Sequence, residues 1–223
     1  MSDVLAVILA AGAAERWTGP TLKQLLWVAG ETLLQRLVRQ AHARGARVVV
    51  VTHDDRLVVP DVARLSPVRH GYLAETLASA APEWAPVDKV VVLCGDVVLS
   101  KAAADAVFTT DRQAVFFGNI HEIYAVASRA PHLDLLRALA LAIADTWMGG
   151  RGKLWQVYRA MAGIPLMEHR LEDAFFQVVD DWTTDFDDME TWTRFSVGGQ
   201  SVDDRLPGFL SGSGAVGSRV IQG

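Results

Sequence analysis

Residues 4–16 read VLAVILAAGAAER, and residues 21–25 read TLKQL. Residues 4–10 form a continuous apolar run of strand length, which is typical of a strand buried on both faces of a sheet. The small residues that follow let backbone N–H groups approach a ligand closely. Arg16 and Lys23 bring a planar multidentate donor and a compact point charge to the same loop, as a polyphosphate needs. We therefore predict a phosphate-binding loop at the end of a buried strand.

The first half of the chain alternates predicted strands and helices. Val-rich strands are predicted at residues 47–52 and 89–93. Before them, an apolar stripe from Leu33 to Ala41 predicts a helix that ends at Gly45, a typical C-cap residue. This alternation predicts a parallel, doubly wound sheet that binds ligands at the carboxyl ends of its strands.

The remaining elements are predicted from weaker patterns. Strands are predicted at residues 68–70, 114–118, 120–127 and 174–179, and helices at residues 73–84, 133–144, 154–161 and 189–195. From residue 197 onward Gly and Ser dominate without periodicity, so we expect a flexible tail over residues 197–223. The rest, residues 1–196, is predicted to form one domain with halves at about 1–110 and 111–196.

Composition excludes several classes of function. With 223 residues, 51% of them hydrophobic, the chain can bury a substantial core. A net charge of −5 without a basic run argues against a nucleic-acid partner. Cys94 is the only cysteine, so neither a disulfide framework nor a thiolate zinc site can form within one chain. We therefore expect the protein to be located in the cytoplasm, which is a reducing compartment.

The apolar start of the chain does not indicate a signal peptide or a membrane anchor. Asp3 stands where a signal peptide has basic residues, and Glu15 and Arg16 interrupt the apolar run. No apolar stretch is long enough to span a membrane. We therefore expect no membrane partner, while a homo-oligomer is left open.

Asp96 is the second candidate for chemistry. It follows the predicted strand at residues 89–93, and a carboxylate in this position points into the ligand crevice and can hold Mg²⁺ against phosphate oxygens. The competing interpretation is that Asp96 caps the next helix. Ser100 is the better cap residue, which favours the metal role for Asp96.

The third candidate is the acidic stretch DDWTTDFDDMETW at residues 180–192. Such a stretch also suits the start of a helix, because the helix dipole favours negative charge there. Both interpretations can hold at once.

These motifs together resemble those of the nucleotidyltransferase superfamily. That family carries Leu-Ala-Ala-Gly-x-Gly-x-Arg and then Pro-Lys. Ala14 replaces the second Gly of this pattern, and Leu22 replaces the Pro. The positions that match are Leu9, Ala10, Ala11, Gly12, Arg16 and Lys23. The resemblance implies a Rossmann-like α/β fold of the GT-A type, a three-layer sandwich with a mostly parallel mixed sheet and helices on both faces.

The resemblance also implies the reaction and the role of each residue. An acceptor phosphate would attack the α-phosphorus of an NTP and release pyrophosphate, with the nucleotide over the first half and the acceptor over the second. Lys23 would contact the α-phosphate and Arg16 the leaving phosphates. The late segment resembles Asp-Ile-Asn/Asp-Thr-Pro-Glu-Asp-Leu, so Mg²⁺ would be held by Asp96 and Asp187, with Asp185 as the reserve ligand. The nucleotide-binding set would be Leu9, Ala10, Ala11, Gly12, Ala13, Gly71, Thr76 and Asp96.

The acceptor stays open at this stage. Glu122 and Lys153 are the candidate acceptor-binding residues. A sugar 1-phosphate, a phosphocholine-like compound and a molybdopterin cofactor are all compatible with the motifs. The alternative interpretation is a degenerate, non-catalytic nucleotide-binding domain, since Ala14 and Leu22 depart from the family pattern. A nicotinamide-dependent dehydrogenase is disfavoured, because Gly12 has no second Gly two residues later.

Overall fold

The structure, a computed structural model, describes residues 3–11, 17–186 and 188–197. The strands in these ranges are β1 (Val4–Leu9), β2 (Trp27–Val28), β3 (Glu31–Thr32), β4 (Arg47–Val51), β5 (Ala63–Leu65), β6 (Lys89–Cys94), β7 (Val97–Val98), β8 (Ala114–Gly118), β9 (Ile123–Arg129), β10 (Phe176–Val178) and β11 (Thr184–Asp185). The helices are α1 (Leu33–His42), α2 (Leu73–Ser79), α3 (Ala81–Trp84), α4 (Lys101–Thr109), α5 (Leu133–Thr146), α6 (Leu154–Ala162) and α7 (Met189–Val197). A short 3₁₀ turn covers Lys23–Leu25.

A seven-stranded sheet forms the centre of the molecule, in the order β10-β8-β9-β6-β1-β4-β5. β1 pairs in parallel with both β4 and β6, and β5 extends the sheet in parallel beyond β4. β9 is antiparallel to its neighbours β6 and β8, while β10 is parallel to β8. The fold class predicted from the sequence, a mostly parallel mixed α/β sheet, is therefore confirmed.

Both faces of the sheet are covered, which explains the continuous apolar strands. Along β1, Leu5, Val7 and Leu9 pack with α2, α5 and α6 on one face. Ala6 and Ile8 pack with α1 and α4 on the other. Successive side chains of a strand alternate between faces, so a strand covered on both faces must be apolar at every position. The result is the predicted three-layer sandwich.

Two of the weaker sequence predictions were wrong. The predicted strand at residues 68–70 lies outside the sheet: β5 ends at Leu65, ahead of Pro67, and Val68 is 89% exposed. The predicted helix over residues 73–84 is two helices, α2 and α3, which meet at Ala80. Pro82 lies in the first turn of α3, where a missing N–H costs nothing, whereas within one continuous helix it would remove a hydrogen bond.

Side chains and a glycine cap the ends of α1 and α4, and the caps at Gly45 and Ser100 are those predicted from the sequence. The Thr32 hydroxyl accepts a hydrogen bond from the Gln35 backbone N–H, and the Gln35 side chain accepts one from the Thr32 N–H, which forms a capping box at the start of α1. Gly45 has φ +73° just beyond α1, the left-handed conformation that glycine adopts without strain. Ser100 caps α4, since its hydroxyl accepts a hydrogen bond from the Ala103 N–H at 2.8 Å.

A small aromatic cluster links the first loop to the end of the domain. Phe186 and Phe195 are buried beside Leu26, Val28 and Leu33. Three partly buried tryptophans pack against this cluster: Trp17, Trp182 and Trp192. The chain just after the first loop is thus in one apolar cluster with the late acidic segment and α7.

The predicted division into two halves and a tail is not tested by these elements and stays a prediction. Val197 ends α7, and residues 198–223 lie outside the described ranges. Within those ranges, no helix combines the length and the apolar character that a membrane crossing would require.

Lys89 is a buried cation at the edge of the sheet opposite the predicted ligand crevice. It starts β6 and is only 4% exposed. Its Nζ donates hydrogen bonds to the carbonyls of Phe108 and Thr110, each at 2.7 Å, at the end of α4. Burial, aided by the charge of Arg129, lowers the pKa of Lys89 from 10.5 to about 8.

This lowered pKa predicts a pH-dependent contribution to stability. Between about pH 8 and pH 10 the unfolded chain holds the Lys89 proton while the folded chain releases it, so stability rises with pH. We expect the unfolding free energy of wild type minus that of Lys89→Met to increase by about 2 kcal/mol across this range, as urea titrations would measure. The matched control, Lys101→Met, removes an exposed lysine and should show no such trend. An unchanged difference for Lys89→Met would contradict the assignment.

Candidate active site

The candidate site lies along the edge of the sheet where the parallel strands end. β1, β4 and β6 run in the same direction, so Leu9, Val51 and Cys94 all lie at this edge. β9 runs the opposite way and therefore begins at the same edge, which brings the turn before Ile123 there as well. Ligands of open α/β sheets bind outside the carboxyl ends of the strands.

The backbones of β1 and β6 approach closely at their carboxyl ends. Leu9 pairs with Cys94, and the Gly95 N–H donates a hydrogen bond to the Leu9 carbonyl at 2.9 Å. A Cβ atom on Gly95 would lie 2.7 Å from that carbonyl oxygen and 3.2 Å from the Ala10 Cβ. Only glycine fits here. Leu9, Ala10 and Ala11, which belong to the predicted nucleotide-binding set, are buried.

The structure brings together the charged residues of two separate motifs. Lys23 lies in the 3₁₀ turn and is only 6% exposed, whereas Asp96 follows β6. The Lys23 Nζ lies 3.5 Å from Asp96 Oδ2, at the limit of a hydrogen-bonded ion pair. The end of the first loop and the end of β6 thus present a cation and a carboxylate side by side.

A second, smaller sheet brings Asp185 to the same edge of the central sheet. β11 pairs antiparallel with β7, so that Asp185 lies opposite Val97, the residue after Asp96. Burial is the main cause that raises the pKa of the Cys94 thiol. The charges of Asp96, Asp185 and Glu122 raise it further, so each of these carboxylates lies close enough to the end of β6 to act on the thiol electrostatically.

The carboxylates present suit Mg²⁺ in its usual mode. Mg²⁺ takes hard oxygen ligands, and it commonly uses one or two carboxylates together with substrate phosphates. Asp96 and Asp185 supply two carboxylates near one another. Among the described residues there is no group of three or more His, Cys, Asp or Glu that could hold a metal ion. Such a donor set fits an ion that binds together with a nucleotide.

The two residues predicted to bind the acceptor substrate belong to segments that contact each other. Glu122 belongs to the turn before β9, where the Asn119 side chain accepts hydrogen bonds from the N–H groups of residues 121 and 122. Lys153 is exposed and precedes α6. The Trp155 indole N–H donates a hydrogen bond to the His121 carbonyl at 2.9 Å, which joins the start of α6 to this turn. Acceptor binding by either residue stays a prediction.

The two predicted nucleotide-binding residues next to α2, Gly71 and Thr76, differ in accessibility. Gly71 is exposed just ahead of α2. Thr76 is buried, and its hydroxyl donates a hydrogen bond to the Tyr72 carbonyl at 3.2 Å. The Thr76 hydroxyl thus has a hydrogen-bond partner one helical turn earlier. Contact of Gly71 or Thr76 with a nucleotide stays a prediction.

Several predicted site residues lie outside the described ranges: Gly12, Ala13, Ala14, Arg16 and Asp187. Their predicted roles stay predictions. Sequence reasoning overlooked the β7–β11 pairing, because strands of two residues carry no periodicity to detect.

The fold defines the class: a Rossmann-like α/β protein. The model of the MobA-like NTP transferase domain family matches residues 6–152. The chain therefore belongs to this family of nucleotidyltransferases. No protein of curated function matches the chain by sequence comparison.

Solved structures show the same fold at low sequence identity. The CTP:phosphocholine cytidylyltransferase of Streptococcus pneumoniae is 15% identical with a TM-score of 0.63, and the match covers 87% of this chain and 99% of that one. A Bacillus anthracis protein assigned as a glucose-1-phosphate thymidylyltransferase, solved with sucrose, is 14% identical with a TM-score of 0.62, covering 91% and 96%. The inositol-1-phosphate CTP transferase of T. maritima is 14% identical with a TM-score of 0.57, covering 85% and 91%.

The contact between β1 and β6 predicts a steric cost for Gly95→Ala. The added methyl group would meet a backbone carbonyl that cannot move without shifting β1. We expect a loss of about 1–3 kcal/mol in unfolding free energy, measured by urea denaturation. Gly71→Ala is the matched control, because its Cβ would meet only the end of the Glu75 side chain at 3.3 Å. Equal stabilities of the two variants would contradict the close approach.

Proposed function

We propose that this protein is a Mg²⁺-dependent nucleotidyltransferase that transfers NMP from an NTP to a phosphorylated small acceptor and releases pyrophosphate. The observation that carries the proposal is the Lys23–Asp96 pair at the carboxyl edge of the sheet, 3.5 Å apart. The two charges come from the first loop and from the end of β6, the two places where the family motifs have them. Membership of the NTP transferase family supports nucleotidyl transfer.

In the proposed mechanism the protein contributes position and charge. Lys23 contacts the α-phosphate, and its position in a buried 3₁₀ turn holds the ammonium group in place. Arg16 contacts the leaving β- and γ-phosphates. In-line placement of the acceptor and neutralisation of oxygen charge account for the rate. The attacking phosphate is already ionised, so no general base is required.

Asp96 and Asp187, with Asp185 as the reserve ligand, would hold the metal ion. Mg²⁺ bound there would neutralise charge on the phosphate oxygens. In the described part of the chain, Asp185 is the late carboxylate that the β7–β11 pairing brings near Asp96.

The acceptor is proposed by class. Two structural neighbours are named for a sugar phosphate or a polyol phosphate, glucose 1-phosphate and inositol 1-phosphate, and a third for phosphocholine. We propose a sugar 1-phosphate or a phosphocholine-like acceptor, with Glu122 and Lys153 at its site. A molybdopterin cofactor nucleotidyltransferase and a degenerate nucleotide-binding domain are the alternatives. We propose the cytoplasm as its location.

A pyrophosphate-release assay tests the proposal. The full chain would be incubated with Mg²⁺, each of the common NTPs and a panel of sugar 1-phosphates, phosphocholine and related acceptors. Pyrophosphate release that requires an acceptor and stops with EDTA would support the proposal. NTP binding by calorimetry without release for any acceptor would favour the degenerate domain. Absence of both binding and release would overturn the proposal.

Asp96→Asn should reduce turnover by about a hundredfold or more, because the amide keeps the shape of the side chain but loses the charge that holds Mg²⁺. The measurement is kcat as a function of Mg²⁺ concentration. Asp111→Asn is the control, since it removes one exposed charge at the opposite edge of the sheet. Turnover of Asp96→Asn close to wild type at limiting Mg²⁺ would show that Asp96 has another role.

Lys23→Met should lower kcat more than it weakens NTP binding, since the ammonium group matters most when charge develops on the α-phosphate. Arg16→Lys should also reduce turnover, because a point charge does not replace the planar fork of a guanidinium group. Steady-state kinetics and NTP binding by calorimetry separate the two effects. Unchanged kinetics in Lys23→Met would remove the basis of the proposed mechanism.

A further inference from the structure

The late acidic segment is bound to the start of α4 by two hydrogen bonds, and a third within the segment joins their partners. Ser100 Oγ donates to Asp181 Oδ2 at 2.5 Å, and the Ser100 N–H donates to Thr183 Oγ1 at 2.9 Å. The Thr183 N–H in turn donates to Asp181 Oδ1 at 2.7 Å. We call Ser100, Asp181 and Thr183 the Ser100 network.

The network is largely buried, and the half-buried Asp181 is its most accessible member. Ser100 and Thr183 are each 3% exposed, and the Ser100 hydroxyl also accepts the capping hydrogen bond from the Ala103 N–H. Both oxygens of the Asp181 carboxylate accept a hydrogen bond. Polar groups buried in this way fix one geometry, because any shift leaves a donor or an acceptor unsatisfied.

The network lies at one end of the segment that carries the late carboxylates. Immediately after Thr183, β11 pairs with β7, so that Thr184 faces Val98 and Asp185 faces Val97. Phe186 is fully buried in the aromatic cluster. The segment is therefore held by hydrogen bonds before Asp185 and by apolar packing after it. Asp96 directly precedes β7, so this attachment sets where Asp185 lies relative to Asp96.

We propose that Asp181 and Thr183 are positioning residues that set the affinity of the site for its divalent cation. They act through the β7–β11 register, which places Asp185 opposite Val97, the residue after Asp96. The inference rests on the proposed metal-dependent function, and it assigns Asp181 and Thr183 a role that the sequence motifs do not give them. Partners that orient metal ligands typically change metal affinity by about 10–100-fold when they are removed.

Two substitutions break the network in different ways. Asp181→Asn leaves one acceptor oxygen for two donors, so one hydrogen bond is lost. Thr183→Val keeps the shape of the side chain but leaves the Ser100 N–H without its acceptor. Thr183→Ser retains the hydroxyl and serves as the rescue variant.

Asp180→Asn is the matched control for charge. Asp180 is exposed and directly precedes Asp181, so both substitutions remove one negative charge from the same stretch. The Asp180 side chain makes no hydrogen bond or ion pair with the other residues that the structure describes. Any general effect of net charge on cation binding will therefore be common to Asp180→Asn and Asp181→Asn.

The experiment measures Mn²⁺ binding to the full chain by electron paramagnetic resonance, with a non-hydrolysable NTP analogue present. We expect Asp181→Asn and Thr183→Val to raise the Mn²⁺ dissociation constant about tenfold. Thr183→Ser and Asp180→Asn should stay within about twofold of wild type. Thermal unfolding of each variant reports whether it is folded at the temperature of the measurement.

The outcomes separate a positioning role from a structural one. A structural role alone would lower the unfolding temperature and leave the Mn²⁺ affinity of the folded protein unchanged, which would overturn the inference. Equal affinities for Asp181→Asn and Asp180→Asn would overturn it too, as would a wild type that binds no Mn²⁺. If Thr183→Val does not fold, Asp181→Asn alone decides, since it keeps most of the network.

The readout is independent of turnover. A wild type that binds Mn²⁺ with the analogue but releases no pyrophosphate would contradict the proposed function, and the network could still be judged from the variants. A wild type that is active, with variants of unchanged Mn²⁺ affinity, would support the function and refute the positioning role.

Discussion

The parallel pairing of β1 with β6 is the contact on which the candidate site depends. Its register aligns Leu9 with Cys94, and the Gly95 N–H continues the hydrogen bonding to the Leu9 carbonyl. The first loop and the turn that carries Asp96 therefore leave the sheet as neighbours. Because the two strands are covered on both faces, neither can slide without exposing apolar side chains to water. The buried core of the protein thus fixes the relative position of the segments that carry Lys23 and Asp96.

The sequence predicts the central strands well because burial on both faces leaves an unmistakable apolar run. β1, β4 and β6 match their predictions to within one residue at either end. The errors occur where local pattern and tertiary structure disagree. Residues 73–84 have helical periodicity throughout, and only the steric effect of Pro82 divides them into α2 and α3. The β7–β11 pairing depends on a contact between distant segments, which no local pattern records.

The sequence predicts which residues belong to the candidate site, but it does not predict the distances between them. Each motif singles out its own charged residue, since a charge at the end of an apolar strand has few structural reasons to be there. The distance from Lys23 to Asp96 follows only from the sheet order, in which β6 adjoins β1 although some 80 residues separate them in sequence. Thr76 illustrates the reverse case: the family resemblance assigns it to the nucleotide, yet its hydroxyl donates a hydrogen bond to the Tyr72 carbonyl.

The reversed strand β9 explains how the second half of the chain reaches the same edge. In a purely parallel sheet, only the carboxyl ends of strands supply groups to the crevice. β9 is antiparallel to β6, so the crevice receives the turn that precedes it, with Glu122, and the start of α6 attached to that turn through Trp155. The Lys23–Asp96 pair thus lies on the β1 side of this edge, while the turns with Glu122 and Lys153 lie on the β9 side. Because those turns lie outside the sheet ladder, their residues can differ without disturbing the Lys23–Asp96 geometry. Structural neighbours with this fold are named for substrates as different as phosphocholine and inositol 1-phosphate, and connecting segments outside a sheet are where proteins of one fold commonly differ.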